Sequence, residues 1–222
     1  MAGQEKRPIV TVDTVLFTLR DGRLTTLLQS RDKPPHAGSL ALVGGYVRPE
    51  EDASTTDAAS RILRQKAGLA GLFLEQLATF SGPDRDPRGW SLSVAHYALV
   101  PEAALAAAQG LEAFPAEDPP PLPFDHGAIL AAALARIRTK GAWSSLPALL
   151  LPDTFTLPEL KAVYEAVMGE RLNDSAFRRK INDLRLIEEV PDARSQATAE
   201  RRRPAQLYRL TRRAFVAFDR VI

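Results

Sequence analysis

An α+β fold in two parts is what the sequence predicts, and three observations carry that prediction. Residues 9–100 alternate runs rich in Val, Ile, Thr and Phe with turn signals and one helical stretch. Residues 156–210 place a helix, a short turn, a second helix and two short strands in that order. The charge divides in the same way. Residues 1–149 hold 15 Lys/Arg against 16 Asp/Glu, whereas residues 171–213 hold 12 against 6, a net of +6 inside a chain whose total is +2. A cationic segment of that kind is the footprint of a binder of phosphate backbones.

Residues 9–19 (IVTVDTVLFTL) read as a strand, Asp21-Gly22 as a turn, and residues 24–29 (LTTLLQ) as the return strand of a hairpin. Residues 39–43 make a short apolar strand ending in Gly44-Gly45. Residues 54–67 are helical. Ala58, Ala59, Ile62 and Leu63 recur at spacings of three and four, Ser54 or Thr56 is available as a cap, and Gly68 stops the helix. Residues 72–80 and 92–100 are further strands, joined by the loop SGPDRDPRGW. Residues 115–123 (PAEDPPPLP) hold five prolines in nine positions and predict an extended connector. Residues 129–137 predict an Ala/Leu-rich amphipathic helix.

Residues 145–153 (SLPALLLPD) form a Pro-flanked apolar link, the place for a hinge. Thr156 caps a helix reaching about Met168, with Pro158 and Glu159 in its first turn and Gly169 as its stop. Asp174 or Asn173 caps the next helix, roughly 174–185. Residues 187–190 and 207–210 are short strands around an Arg-rich loop. Helix, turn, helix and hairpin is the order of a winged helix-turn-helix. The expected division is residues 1–144 and residues 145–222.

Composition narrows the function. A chain of 222 residues that is 45% hydrophobic and 25% charged is ordinary for one or two folded domains. It has no apolar run near 18 residues, and its opening MAGQEKRPIVTVD has no secretory h-region, so a cytoplasmic protein without a membrane span is expected. The absence of cysteine excludes disulfides, thiolate metal sites and a Cys nucleophile. His36, His96 and His126 are too scattered for a metal cluster. His96 reads as a structural or pocket-lining residue and His126 as a cap.

The stretch Gly44-Gly45-Tyr46-Val47-Arg48-Pro49-Glu50-Glu51, followed by a helix ending in Arg61-Ile62-Leu63-Arg64-Gln65-Lys66-Ala67-Gly68-Leu69, resembles a Nudix box. In Nudix hydrolases the carboxylates of that helix hold Mg²⁺, which neutralises a pyrophosphate and activates water. Here Arg61 and Leu63 match the motif, but Ile62, Gln65 and Lys66 stand where the carboxylates belong. The interval from Gly45 to Arg61 is also two residues longer than usual. Glu50 and Glu51 alone make a poor Mg²⁺ site. The expectation is a Nudix-like α/β/α sandwich with a mixed sheet and without a catalytic metal or hydrolysis.

Such a fold would keep a cleft for a nucleoside diphosphate compound. Arg31, Lys33, Gly44, Gly45, Arg48, Arg61, Arg88 and Trp90 are its candidate residues, with Arg85 nearby. Arginine forks match a pyrophosphate, and Trp90, Tyr46 or Phe80 could stack on a base. Arg61 also has a plainer reading, an ion pair with Glu50, Glu51 or Asp57. The loop after residue 80 is similar to the ADP-ribose branch of the family.

In the second helix of the C-terminal part, Phe177, Ile181 and Leu184 lie on one face, whereas Arg178, Arg179, Lys180 and Arg185 project mainly elsewhere. An apolar stripe backed by a cationic surface suits a major groove. Ser175, Arg178 and Arg179 are the candidates for base contacts; Lys180 and the wing residues Arg201, Arg202 and Arg203 are the candidates for phosphates. Lys161 and Arg171 could flank the backbone. This half, with its Gln206, Tyr208 and Arg209, resembles the DNA-binding half of the Nudix-related transcriptional regulators, bacterial regulators of NAD metabolism.

The resemblance covers nearly the whole chain. It implies a homodimeric repressor of NAD biosynthesis or salvage genes, bound to a pseudo-palindromic operator in double-stranded DNA. It also implies ADP-ribose or a related NAD-derived effector. The alternatives are an active ADP-ribose pyrophosphatase with a regulatory DNA-binding tail, and a general DNA-binding module with a vestigial core.

Overall fold

A computed structural model describes residues 7–194, 205–219 and 221–222. The chain divides into two compact units. Of the described residues, the first comprises 7–17, 25–100 and 106–134; the second comprises 18–24, 101–105, 135–194, 205–219 and 221–222.

The first unit is built on a seven-stranded mixed sheet. Its spine is β1 (Ile9–Arg20), whose interior is buried on both faces from Val12 to Thr18. That is why its sequence is nearly continuous in apolar and β-branched residues rather than strictly alternating. Strand β6 (Ser91–Leu99) runs parallel along β1, from Ile9 opposite Ser91 to Phe17 opposite Leu99. Strand β2 (Arg23–Ser30) is its neighbour on the other side. Asp21 and Gly22 between them both have positive φ, 50° and 70°, the pair of left-handed residues that a tight right-twisted hairpin requires.

The predicted strand at 39–43 is two shorter ones, β3 (Leu40–Ala41) on β2 and β4 (Val43–Tyr46) on β1. Gly44 and Gly45 thus lie inside a strand, opposite Asp13 and Val12. Helix α1 (Thr55–Ala67) packs on β4, β6 and β5 (Phe73–Gly82) through Ala58, Ala59, Ile62, Leu63 and Ala67. Ser54 is its N-cap, accepting from Asp57 N at 3.1 Å, and Gly68 ends it at φ 68°.

A short helix, α2 (Glu102–Leu105), and an edge strand, β7 (Leu111–Pro115) on β2, complete the elements before the proline connector. Neither is predicted from the sequence. Helix α3 (His126–Gly141) is longer than its apolar pattern suggests, and Ile129, Leu130, Ala133 and Ile137 are buried.

In the second unit, α4 (Leu157–Met168) opens on a capping box in which Thr156 and Glu159 satisfy each other's backbone donors. Gly169, at φ 77°, closes it. Helix α5 (Asp174–Asp183) is capped by Asn173, not Asp174. Asp174 instead meets Lys161 of α4 at 2.7 Å. Leu160, Val163, Tyr164 and Val167 of α4 and Phe177 and Ile181 of α5 are buried, with the Tyr164 and Phe177 rings 5.4 Å apart and inclined at 64° in an edge-on contact. Strands β8 (Ile187–Arg194) and β9 (Gln206–Leu210) form the antiparallel wing. Phe155 adds a bridge to Tyr208 through two backbone hydrogen bonds of 3.0 and 2.7 Å.

The link expected to serve as a hinge is a buried 3-10 turn, Leu146–Leu150. Ser145 exchanges hydrogen bonds with Ala214 and Val216, Tyr164 donates to Ser144 O at 2.9 Å, and Arg213 donates to Leu151 O at 2.6 Å. The apolar run SLPALLLPD is therefore core of the second unit, because its leucines have a place to be buried there, and not a free connector. Among the described residues no helix is long and apolar enough to cross a membrane.

Candidate functional site

The first unit carries a cavity of about 670 Å³, a size usual for small-molecule sites. Strands β1, β2 and β4, helix α1, the β5–β6 loop and the segment entering α3 all contribute. Seven Lys/Arg line it (Arg31, Lys33, Arg48, Arg61, Lys66, Arg85 and Arg88) against three Asp (Asp13, Asp32 and Asp86). That balance suits a polyanion.

The cavity brings together Arg31, Lys33, Gly44, Gly45, Arg48, Arg61 and Arg88 from the sequence-predicted set. Trp90 is not part of the lining; it is half-exposed beside the first residue of β6. Phe80 also lies outside the lining, whereas Tyr46 is part of it.

Most of the arginines are held in place by carboxylates. Arg88 makes a fork to Asp86 at 2.9 and 2.6 Å, donates to the Tyr46 hydroxyl and lies over the Tyr46 ring. Its guanidinium keeps the Asp86 carboxyl below the usual range. Arg85 forks to Asp125 at 2.9 and 2.7 Å and donates to Ser91 at 3.2 Å. Arg31 is 4.9 Å from the centre of the Phe124 ring, with two donors on the carbonyls of Pro35 and Lys33. The rings of His36 and His126 also flank Phe124.

Arg61 follows the plainer reading, an ion pair that includes Glu51, but its nearest partner is Asp52, which that reading does not offer. Its fork closes on Asp52, with Glu51 farther away at 3.7 Å. Asp57 instead bonds to Ser54, and Arg48 pairs with Glu51 at 3.0 Å.

Beneath the cations lies a buried polar floor. Asp13, 7% exposed, accepts from Ser93 at 2.7 Å and faces His126 Nε2 at 3.5 Å and Arg85 at 3.8 Å. His126 Nδ1 accepts the N–H of Leu42 at 3.1 Å, so its proton is on Nε2, toward Asp13. His126 is the first residue of α3 and caps no helix; its ring ties the helix start to Leu42, between β3 and β4, and to Asp13 of β1. Gly44 is required here, because a Cβ would stand 2.0 Å from Asp13 Oδ1. His96 is fully buried in β6, outside the cavity, and burial lowers its pKa.

Sequence reasoning missed Asp13, Asp52, Asp86, Phe124 and Asp125. Asp13 had a visible signal, a lone acid inside an apolar strand.

On the second unit, Ser175, Arg178 and Arg179 are exposed on α5, and Lys180 is half-buried. Arg178 and Arg179 make no ion pair with any described residue. Lys161, in contrast, is held by Asp174 at 2.7 Å and Glu165 at 3.1 Å, and Arg171 lies 3.5 Å from Glu165. Arg209 pairs with Glu188 across the wing at 2.6 Å. Arg201, Arg202 and Arg203 lie outside the described residues.

Residues 147–210 match the NrtR DNA-binding winged helix domain. Over 208 residues the chain is 36% identical to the ADPR responsive transcriptional repressor NtrR of Acinetobacter baylyi, covering 91% of this chain and 82% of that protein. Shewanella oneidensis NrtR in complex with a 27mer DNA has a TM-score of 0.84 at 32% identity, over 96% of this chain and 99% of that chain. The NUDIX domain of the same protein in complex with ADP ribose has a TM-score of 0.53 at 34% identity, over 59% of this chain and 89% of that chain. An ADP-ribose pyrophosphatase of Methanocaldococcus jannaschii is 33% identical over 126 residues, which is 55% of this chain and 71% of that protein. The fold is thus a Nudix-like domain with a mixed sheet followed by a winged helix.

Proposed function

The chain belongs to the Nudix-related transcriptional regulator (NrtR) family, and from that premise we propose that it is a ligand-responsive, DNA-binding transcriptional repressor of NAD biosynthesis or salvage genes. The observation that carries the ligand half is the cavity itself, with seven cations against three acids and the rings of Tyr46 and Phe124 in its wall. ADP-ribose, or a related NAD-derived nucleotide, has the two parts such a wall recognises, a diphosphate and an aromatic base.

In this reading residues 1–144 sense and residues 145–222 bind DNA. Arg31, Lys33, Arg48 and Arg88 face the diphosphate. Gly44 and Gly45 keep β4 low enough for the ligand to approach, and Arg61 positions α1. Ser175, Arg178 and Arg179 read bases, while Lys180 and residues 201–203 hold phosphates. A two-fold dimer meets a pseudo-palindromic operator. The protein works in the cytoplasm.

For ADP-ribose to release DNA it must bind the DNA-competent and incompetent states with different affinity. A gel shift on the promoters of NAD genes, with and without ADP-ribose, tests DNA, ligand and direction together. Retarded DNA that is freed by ADP-ribose is the expected result. Binding to random DNA with equal affinity would leave only a general DNA-binding module.

A second reading, an active pyrophosphatase with a DNA-binding tail, is favoured by the likeness to the Methanocaldococcus enzyme. Against it stand Ile62, Gln65 and Lys66 on the helix face that would have to hold the metal. Mg²⁺-dependent release of AMP from ADP-ribose by the purified protein, abolished by Glu51→Gln, would establish that reading instead.

A further inference from the structure

The Nudix-like fold implies a divalent cation beside the diphosphate, and the residues present do not fit one. Among the described residues no group of three or more His, Asp or Glu could hold a metal. The cavity face of α1 presents Ile62, Gln65 and Lys66. Ile62 packs against β4, its Cδ1 only 3.1 Å from where a Cβ on Gly45 would stand. The Gly44 carbonyl, a hard oxygen that a metal ion could have used, accepts Lys66 Nζ at 2.7 Å.

We propose that the Lys66 ammonium takes the part of the missing cation, so that this pocket binds a nucleoside diphosphate ligand without metal. The geometry supports that role in three ways. The ammonium is held at the cavity wall by a backbone carbonyl, so its position does not depend on a flexible partner. It makes one hydrogen bond among the described residues, which leaves two of its three donors for a ligand. It also shares the cavity with Arg31 and Lys33: desolvation above all, and then those like charges, push its pKa down, while Asp32 and Asp13 push it up. A cation crowded by others is stabilised when an anion enters among them.

A compact point charge replaces the metal's electrostatic role without its chemistry. An ammonium offers donors to phosphate oxygens but lowers the pKa of no bound water, so the diphosphate is recognised and not cleaved. With Ile62 and Gln65 in the other carboxylate positions, the site is left with a charge for sensing and no metal for hydrolysis.

This inference rests on the reading of the cavity as an ADP-ribose site, and its test separates the two. Purified full-length protein is titrated calorimetrically with ADP-ribose in EDTA and in Mg²⁺, alongside Lys66→Met and Lys66→Arg, with thermal melts as a check on folding. Affinity of the unaltered protein should be the same in both buffers. Lys66→Met should weaken it roughly tenfold to a hundredfold in both, the scale of a lost hydrogen bond to a charged group, and Lys66→Arg should retain most of it. An unaltered protein that needs Mg²⁺ for tight binding, or a folded Lys66→Met that binds normally, overturns the role of Lys66 and leaves the ADP-ribose reading standing. A folded, unaltered protein that binds ADP-ribose in neither buffer overturns that reading itself.

Discussion

Arg61 grips Asp52 through two parallel hydrogen bonds of 2.7 Å, Nε to Oδ1 and Nη2 to Oδ2, and both side chains are almost wholly out of water. The same guanidinium donates to Tyr46 O at 3.0 Å, and Asp52 accepts the Arg48 N–H at 2.7 Å. One ion pair therefore fixes α1, the end of β4 and the loop between them. Arg61 lies in the cavity wall with its fork engaged by Asp52, so it helps set the shape of the pocket.

The pair has a consequence at low pH. The Arg61 guanidinium, above all, holds the Asp52 carboxyl at about 2 against an unperturbed 3.8. A carboxyl lowered by folding stabilises fully above the unfolded value and loses that contribution as pH falls through the folded one. The stability of the first unit should therefore decline between about pH 4 and pH 2. Asp52→Asn should lower the denaturation midpoint at pH 7 and flatten the decline across that window, since Arg61 is then left buried without its counter-ion. Urea titrations at pH 7, 4 and 2.5 measure both; an Asp52→Asn protein with the parent's acid slope would show that other carboxylates set it.

Gly44 faces a steric demand that no other residue meets. A methyl group there would stand 2.0 Å from Asp13 Oδ1 and 2.8 Å from Val12 O. Asp13 cannot retreat freely, because Ser93 and His126 hold it. Gly44→Ala should cost about 1–3 kcal/mol, the usual scale of overpacking, with a fall in Tm on the order of 5 °C. Calorimetry decides it, and an unchanged Tm would mean that β4 can shift away from β1.

Local chemistry was the legible part of this chain. Ser54, Gly68, Thr156 and Gly169 act at the helix ends where their types place them, because capping involves residues at most a few positions apart. The box residues and the basic face of α5 were legible for the same reason. Strand β7 was not. Five residues, LEAFP, are too short to show a period, and they form a strand only because β2 presents a free edge. Asp52 and Asp125 meet their arginines across 9 and 40 residues, in ways no spacing discloses, and Phe124 reaches the cavity only through the course of the chain after the proline connector. The leucines of 146–151 illustrate the opposite error: an apolar run flanked by prolines reads as a link until the surface that buries it is known.

His126 supplies a pH dependence of a different kind. Desolvation, more than any other cause, pushes its pKa down, with Arg85 and Arg31 acting in the same direction and Asp13 and Asp125 opposing. Its Nδ1 is an acceptor for Leu42 N, so protonation would remove a buried hydrogen bond. The unfolded chain takes up this proton below about pH 6.5 while the folded chain resists it. Stability should fall as pH drops from 7 toward 5. His96, lowered by burial as well, adds to the same slope. His126→Asn keeps an acceptor near the Leu42 N–H and should reduce, not abolish, the dependence. Denaturant midpoints at pH 7.5, 6.5 and 5.5 test this; an Asn variant with an unchanged slope would assign the whole effect to His96.

Substitutions on α5 distinguish base reading from phosphate holding. Arg178 and Arg179 are adjacent and exposed, and neither is tied to a described carboxylate, whereas Lys161 and Arg209 are. Removing either should leave the melting temperature unchanged, since nothing in the fold leans on them. If the side chain reads a base, Arg178→Ala or Arg179→Ala should cost about 1–3 kcal/mol and relax preference at one operator position. If it holds a phosphate, the substitution should weaken all sequences alike and reduce the slope of log affinity against log salt by about 1. Fluorescence anisotropy on operator and mutated-operator duplexes at several salt concentrations distinguishes the two. If both variants bind every duplex as the parent does, the exposed face of α5 is not the surface that meets DNA.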